Sequence, residues 1–105
     1  MRRGDVFRLR PGPRAGHEQT GVRYGVVVQS DAVMALSTVL VSPTSRSARP
    51  ASFRPQIRVG TESTRVLAEQ TAAVDASRLG ELAGHLTPQE QWGVDLALTL
   101  VMGLP

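Results

Sequence analysis

Most of this chain reads as short strand-length segments, and one strong helix start stands near its end, at Thr87. Thr87-Pro88-Gln89-Glu90 is a helix start. The threonine can cap, the proline suits the first helical position, and Glu90 can reach back to complete a capping box. The spacing predicts a helix to about Met102, ended by Gly103, with Val94, Leu96, Leu98, Leu100 and Val101 on a wide apolar face.

Ahead of the helix the apolar runs have strand length. Asp5–Arg10 alternates and reads as a first strand, Arg23–Ser30 as a buried second, and Thr38–Val41 as a third that Pro43 stops. Residues 44–52 are small, polar and basic, the composition of a surface loop. Phe53–Val59 alternates again with Arg54 and Arg58 on one face, and Pro55 marks it as an edge strand. Gly60–Ser63 is a turn, Thr64–Glu69 and Thr71–Val74 are short strands, Asp75–Gly80 is one helical turn closed by Gly80, and Glu81–Leu86 is a last strand. Several short strands followed by one long helix imply a mainly β domain over residues 1–105: a small, strongly bent sheet or barrel with a packed C-terminal helix.

The hydrophobic fraction of 41% supports a modest core, and with Phe7, Tyr24, Phe53 and Trp92 as the aromatics that core must be mostly aliphatic. No apolar run approaches the roughly 20 residues of a membrane span. The N-terminus is basic without an apolar signal region behind it, so a cytoplasmic protein is expected. The absence of cysteine rules out disulfides and thiolate zinc sites. All twelve basic residues are arginine. Eleven of them fall in residues 1–65, against Asp5, Glu18, Asp31 and Glu62; residues 66–105 hold Arg78 against five acids. A basic first part and an acidic last part suggest one face made for an anion.

Chemistry-bearing side chains concentrate in Gly16-His17-Glu18-Gln19-Thr20-Gly21-Val22-Arg23, a glycine-punctuated loop backed by the apolar strand that follows. The two histidines, His17 and His85, are far apart and in no ligand spacing, so no metal or other cofactor is expected. Neither a Gly-x-Ser-x-Gly elbow nor a Gly-x-x-x-x-Gly-Lys loop occurs. An arginine-rich site of this kind matches cleavage of RNA by its own 2′-hydroxyl. That reaction needs a base for the 2′ proton, a cation for the pentavalent phosphorane and an acid for the leaving 5′ oxygen. Arginine fits the cation role and, with a pKa above about 12, is a poor base. His17 or Glu18 is the better base.

Arg3-Gly4-Asp5-Val6-Phe7, Gly16–Arg23 and Val41-Ser42-Pro43-Thr44-Ser45 together resemble the MazF/PemK family of bacterial toxins. So do Val66–Gln70, Val74–Gly80 and Gly84-His85-Leu86-Thr87, in order along essentially the whole chain. The resemblance implies an SH3-like β-barrel that forms a homodimer. It further implies a metal-independent, sequence-specific endoribonuclease cutting single-stranded messenger, transfer or ribosomal RNA to 2′,3′-cyclic phosphate and 5′-hydroxyl ends, and a MazE-like antitoxin that blocks the RNA groove. The family's catalytic arginine falls on Arg23 and its catalytic hydroxyl on Ser45; its loop histidine and glutamate fall on His17 and Glu18. Gln19, Thr20, Tyr24, Thr44, Arg46, Arg49 and Arg54 are the expected RNA contacts. The sequence departs from the family pattern at Tyr24, where proline usually follows the arginine, at Ser45, usually threonine, and at Ala72, an arginine in several members. Two other readings are a gyrase-poison-like interaction toxin on the same barrel and a non-cleaving RNA-binding homologue.

Overall fold

The computed structural model of the chain describes residues 1–10 and 23–105. Among the described residues seven strands precede one helix: β1 (Asp5–Leu9), β2 (Tyr24–Val27), β3 (Thr38–Ser45), β4 (Gln56–Val59), β5 (Glu62–Val66), β6 (Ala72–Asp75), β7 (Leu79–His85) and α1 (Pro88–Met102). Single 3₁₀ turns lie at Asp31–Val33, Ala68–Gln70 and Ala76–Arg78. The strands pair antiparallel in the order β4-β5-β3-β2-β1-β7, with β6 also on β3. The result is a curled, half-barrel sheet carrying one C-terminal helix, as the order of elements implies, and β4 is the edge strand that Pro55 marks.

β3 corrects the expected stop at Pro43: the strand runs through it to Ser45. Pro43 stands where β3 changes partners, leaving β6 at Val41 and taking β5 at Thr44. Its carbonyl accepts the Leu67 N–H at 2.8 Å, so this residue's polar groups point toward the gap between β6 and β5. The missing proline N–H therefore interrupts no ladder bond to β2. The hairpin after β4 is tighter than the sequence implies, with Gly60 at φ 62° and β5 already under way at Glu62. Gly80 does not close the helical turn but lies inside β7.

The main core joins Val6, Tyr24, Val26, Val28, Ile57, Val59, Val66 and Leu86 to Val94 of α1. A second cluster on the opposite side of the sheet holds Val27, Val39, Val41 and Leu79. α1 carries the expected capping box: Thr87 Oγ1 accepts the Glu90 N–H at 3.1 Å, and Glu90 accepts the Thr87 N–H at 2.9 Å. Gly103 ends the helix at φ 68°. The apolar face is narrower than expected. Val94 and Ala97 are buried and Leu98 packs against the core, whereas Trp92, Leu96 and Leu100, four residues apart on a neighbouring stripe, face outward at 50% exposure or more. Among the described residues no helix is long and apolar enough to cross a membrane.

The N-terminal segment fastens helix to sheet. Arg3 donates its N–H to Asp31, its Nε–H to the Val28 carbonyl at 2.9 Å, and pairs through Nη1 with Asp95 of α1 at 2.8 Å. Gly4 follows at φ 94°, where a Cβ would stand 2.6 Å from Gln91 Oε1. Asp5, nearly buried, accepts from His85 Nδ1 at 2.8 Å and from the Arg2 N–H at 2.9 Å, which ties β1 to β7.

Candidate active site

The register of the sheet brings the distant halves of the site together. On β2 and β3, Val27 lies opposite Val41, Val26 opposite Ser42 and Gly25 opposite Pro43. Past the last ladder pair, Tyr24 and Arg23 meet Thr44 through hydrogen bonds that involve side chains. On its other side β3 meets β5, with Thr44 opposite Val66 and Ser45 opposite Arg65. β5 passes the row to β4, where Gln56 faces Arg65.

Directly opposite residues share one face of a sheet, and neighbouring rows alternate between faces. Tyr24, Thr44 and Val66 form a buried row at 6%, 2% and 0% exposure. Ser45, Arg65 and Gln56 form the next row, half-buried or exposed. Arg23 and Ser45, 22 positions apart in sequence, are both half-buried at the end of the β2–β3 ladder.

Thr44 anchors both. Its hydroxyl accepts the Tyr24 N–H at 3.2 Å, and its carbonyl accepts from Arg23 Nε at 3.4 Å. The Tyr24 N–H, which a proline would lack, is thereby satisfied in a buried position. The Ser45 hydroxyl accepts the Ser47 N–H and lies 3.3 Å from the Ser47 hydroxyl, a local turn that keeps it at the surface.

Two expected RNA contacts need correcting. Thr44 points into the barrel with its hydroxyl engaged, so it positions its neighbours and offers no side-chain surface to RNA. Tyr24 likewise belongs to the main core, with the Arg8 guanidinium 5.7 Å from its ring centroid. The basic stretch is also more occupied than its composition implies. Arg54 makes two bonds to Glu69, at 2.9 and 2.6 Å, and donates to the Arg49 carbonyl. Arg46 pairs with Glu62 at 3.6 Å. Arg49 is exposed and forms no ion pair among the described residues. His17, Glu18, Gln19 and Thr20 lie outside the described residues.

Asp75 caps the turn at Ala76–Arg78 by accepting the Ser77 N–H at 2.8 Å, a bond that holds its carboxyl below the usual carboxylate range. Ala72 is exposed on β6 opposite Val41. A groove of about 630 Å³ lies between α1 and the sheet, lined by Arg3, Val28, Leu40, Leu98 and Met102 among others; Arg23, Ser45 and Arg65 do not line it. Arg65 is the residue the sequence reading passed over. Only the cross-strand register places it beside Ser45, although the alternation of Ser63 and Arg65 with Thr64 and Val66 already marks it as outward-facing.

Comparison with known proteins agrees with this architecture. Residues 2–102 match the family model described as PemK-like, MazF-like toxin of type II toxin–antitoxin system. A Mycobacterium tuberculosis protein named a toxin is 38% identical over 104 residues, covering 97% of each chain. A mycobacterial endoribonuclease solved with its cognate antitoxin superimposes with a TM-score of 0.82 at 20% identity, covering 100% of this chain and 97% of that one. MazF of Deinococcus radiodurans gives a TM-score of 0.81 at 25% identity, covering 99% and 97%. The fold, the matched span and the 38% relative agree, and the chain belongs to the PemK-like, MazF-like toxin family of type II toxin–antitoxin systems.

Proposed function

We propose that this chain is a metal-independent endoribonuclease toxin that cuts single-stranded RNA at a defined short sequence. The observation that carries the reading is the hydrogen bond from Arg23 Nε to the Thr44 carbonyl, which brings the arginine to the residue next to Ser45 at the end of the β2–β3 ladder. In the proposed reaction the 2′-oxygen attacks phosphorus, its proton passes to Glu18 or His17, and the bond from phosphorus to the 5′ oxygen breaks as that oxygen takes a proton. The products are a 2′,3′-cyclic phosphate and a 5′-hydroxyl. Arg23 offsets the charge that grows on the phosphorane, a role suited to a fixed, always-charged fork of donors. Ser45 donates a hydrogen bond to a phosphate oxygen.

Family membership supports an antitoxin partner, as does the structural relative solved with its own antitoxin. A homodimer belongs to the same reading. The outward stripe of Trp92, Leu96 and Leu100 is apolar surface that such an assembly would use, and sedimentation of the purified chain tests it.

The decisive experiment incubates the protein with a long RNA in EDTA and maps the new 5′ ends. Cuts at a recurring short sequence with 5′-hydroxyl ends are expected. Arg23→Ala should abolish them while the variant still melts cooperatively. Full activity in that variant, or activity that vanishes with EDTA, overturns the assignment.

A further inference from the structure

The described arginines differ in how far they are neutralised. Arg46 and Arg54 are paired with Glu62 and Glu69, and Arg2 and Arg3 with Asp5 and Asp95. Arg65 and Arg58 have no carboxylate within ion-pair distance among the described residues. The carboxylate nearest in the fold to Arg58 is Glu90, whose two oxygens are taken by the backbone N–H groups of Arg58 and Thr87. Arg8, Arg10, Arg49 and Arg78 also lack an acid partner among the described residues. Of these, Arg10 and Arg78 are tied to backbone carbonyls beyond β1, and Arg8 lies over the Tyr24 ring.

Arg65 is set apart by its register. It stands directly opposite Ser45, and the carbonyl of Thr44, the residue before Ser45, accepts from Arg23 Nε. Arg58 lies opposite Ser63 on the same outward face, a diagonal neighbour of Arg65 within reach of long side chains. Among the described residues Arg65 is held by one donor only, Nη1 to the Arg54 carbonyl at 3.0 Å, and the rest of its fork makes no bond to them. Arg65 and Arg58 are neighbouring cations outside any ion pair among the described residues, and an anion laid across them offsets their mutual repulsion.

We infer that Arg65, with Arg58 beyond it, binds the RNA phosphates next to the one held between Arg23 and Ser45. The inference rests on the nuclease reading above and adds a path to it: the strand crosses β3, β5 and β4 along the outward row, instead of following residues 44–54, where Arg46 and Arg54 are already paired. Contacts of this kind fix position and register and read no bases.

The test measures binding of a fluorescein-labelled single-stranded RNA by anisotropy, in an Arg23→Ala background that does not cut it, across a salt titration. Arg65→Gln should weaken binding roughly tenfold, the loss typical of one charge-assisted hydrogen-bonding partner. It should also flatten the slope of log K against log[salt] by about 0.7, the value for one phosphate contact on a single strand. Arg65→Lys should restore the slope. Arg2→Gln removes an equal charge away from the row and should leave the slope unchanged. Arg58→Gln, whose side chain makes no bond within the described residues, should shift both quantities in the same direction and carries the test if Arg65→Gln does not melt cooperatively. Cutting by the unsubstituted chain, with affinity and slope unchanged in Arg65→Gln and Arg58→Gln, overturns the path and leaves the nuclease reading standing. RNA neither cut nor bound by the unsubstituted chain overturns both.

Discussion

Thr44→Val replaces a buried hydroxyl by a methyl of nearly the same volume, and so isolates one hydrogen bond beneath the site. Thr44 is 2% exposed, and its hydroxyl is the acceptor for the buried Tyr24 N–H. With valine there, the donor stays buried and unsatisfied, which costs about 1–3 kcal/mol. The added methyl returns less than the roughly 0.8 kcal/mol of a buried CH₂. The balance is a loss of about 1–2 kcal/mol, and in a domain of this size each kcal/mol lowers Tm by roughly 4–8 °C. Thr44→Ser keeps the acceptor and gives up one methyl, for about 0.5–1.5 kcal/mol. The two losses overlap, so stability alone does not separate them. Hydrogen exchange at the Tyr24 amide does. Protection should survive in Thr44→Ser and collapse in Thr44→Val, and single-turnover cleavage should fall in the valine variant at temperatures where both are fully folded. A Thr44→Val protein that is as stable as the unsubstituted chain, with Tyr24 still protected, would show that this bond does not anchor the end of β2.

Val94→Ala should lower the unfolding free energy by about 2 kcal/mol in urea titrations, because Val94 is fully buried where α1 meets the sheet; a loss under about 0.5 kcal/mol would mean that the helix docks by other contacts. Asp5 gives a pH signature. Burial alone would raise its carboxyl, but the hydrogen bonds from His85 and the Arg2 N–H, together with the nearby positive charge, hold it below the usual carboxylate range. Its stabilising contribution is therefore complete above the ordinary aspartate value of about 3.9 and is lost as pH falls through the lowered one. Asp5→Asn should be less stable than the unsubstituted chain at neutral pH and lose less on further acidification below about pH 4; parallel acid limbs in the two proteins would contradict this.

What the sequence made legible was local. The capping box at Thr87 and Glu90, the left-handed Gly103 and the edge marked by Pro55 each depend on a few neighbouring residues, and all appear where the chain chemistry puts them. What it hid depends on pairing. Pro43 reads as a strand stop because proline removes a ladder donor, and only the exchange of β6 for β5 beside it makes that donor dispensable. Leu96 and Leu100 read as core because they are apolar at near-helical spacing, yet Val94, Ala97 and Leu98 take the inward stripe. At the candidate site, Arg23 and Ser45 were singled out by the motifs that carry the family resemblance, whereas Arg65 is set beside Ser45 only by a strand pairing across twenty positions. Thr44 reads as one more polar residue in a basic stretch until burial shows it facing inward.

The pleat of β4 and β5 also sorts their residues by what evolution can do with them. Ile57, Val59, Thr64 and Val66 are committed to the interior, while Gln56, Arg58, Ser63 and Arg65 interleave with them and touch little of it. Drift at the second set is nearly free of folding constraint, so a duplicated gene could change the surface beside Ser45 without first acquiring stabilising mutations. A library randomised at those four positions alone should return mostly folded proteins, and would sample new surfaces for RNA while the scaffold beneath stays fixed.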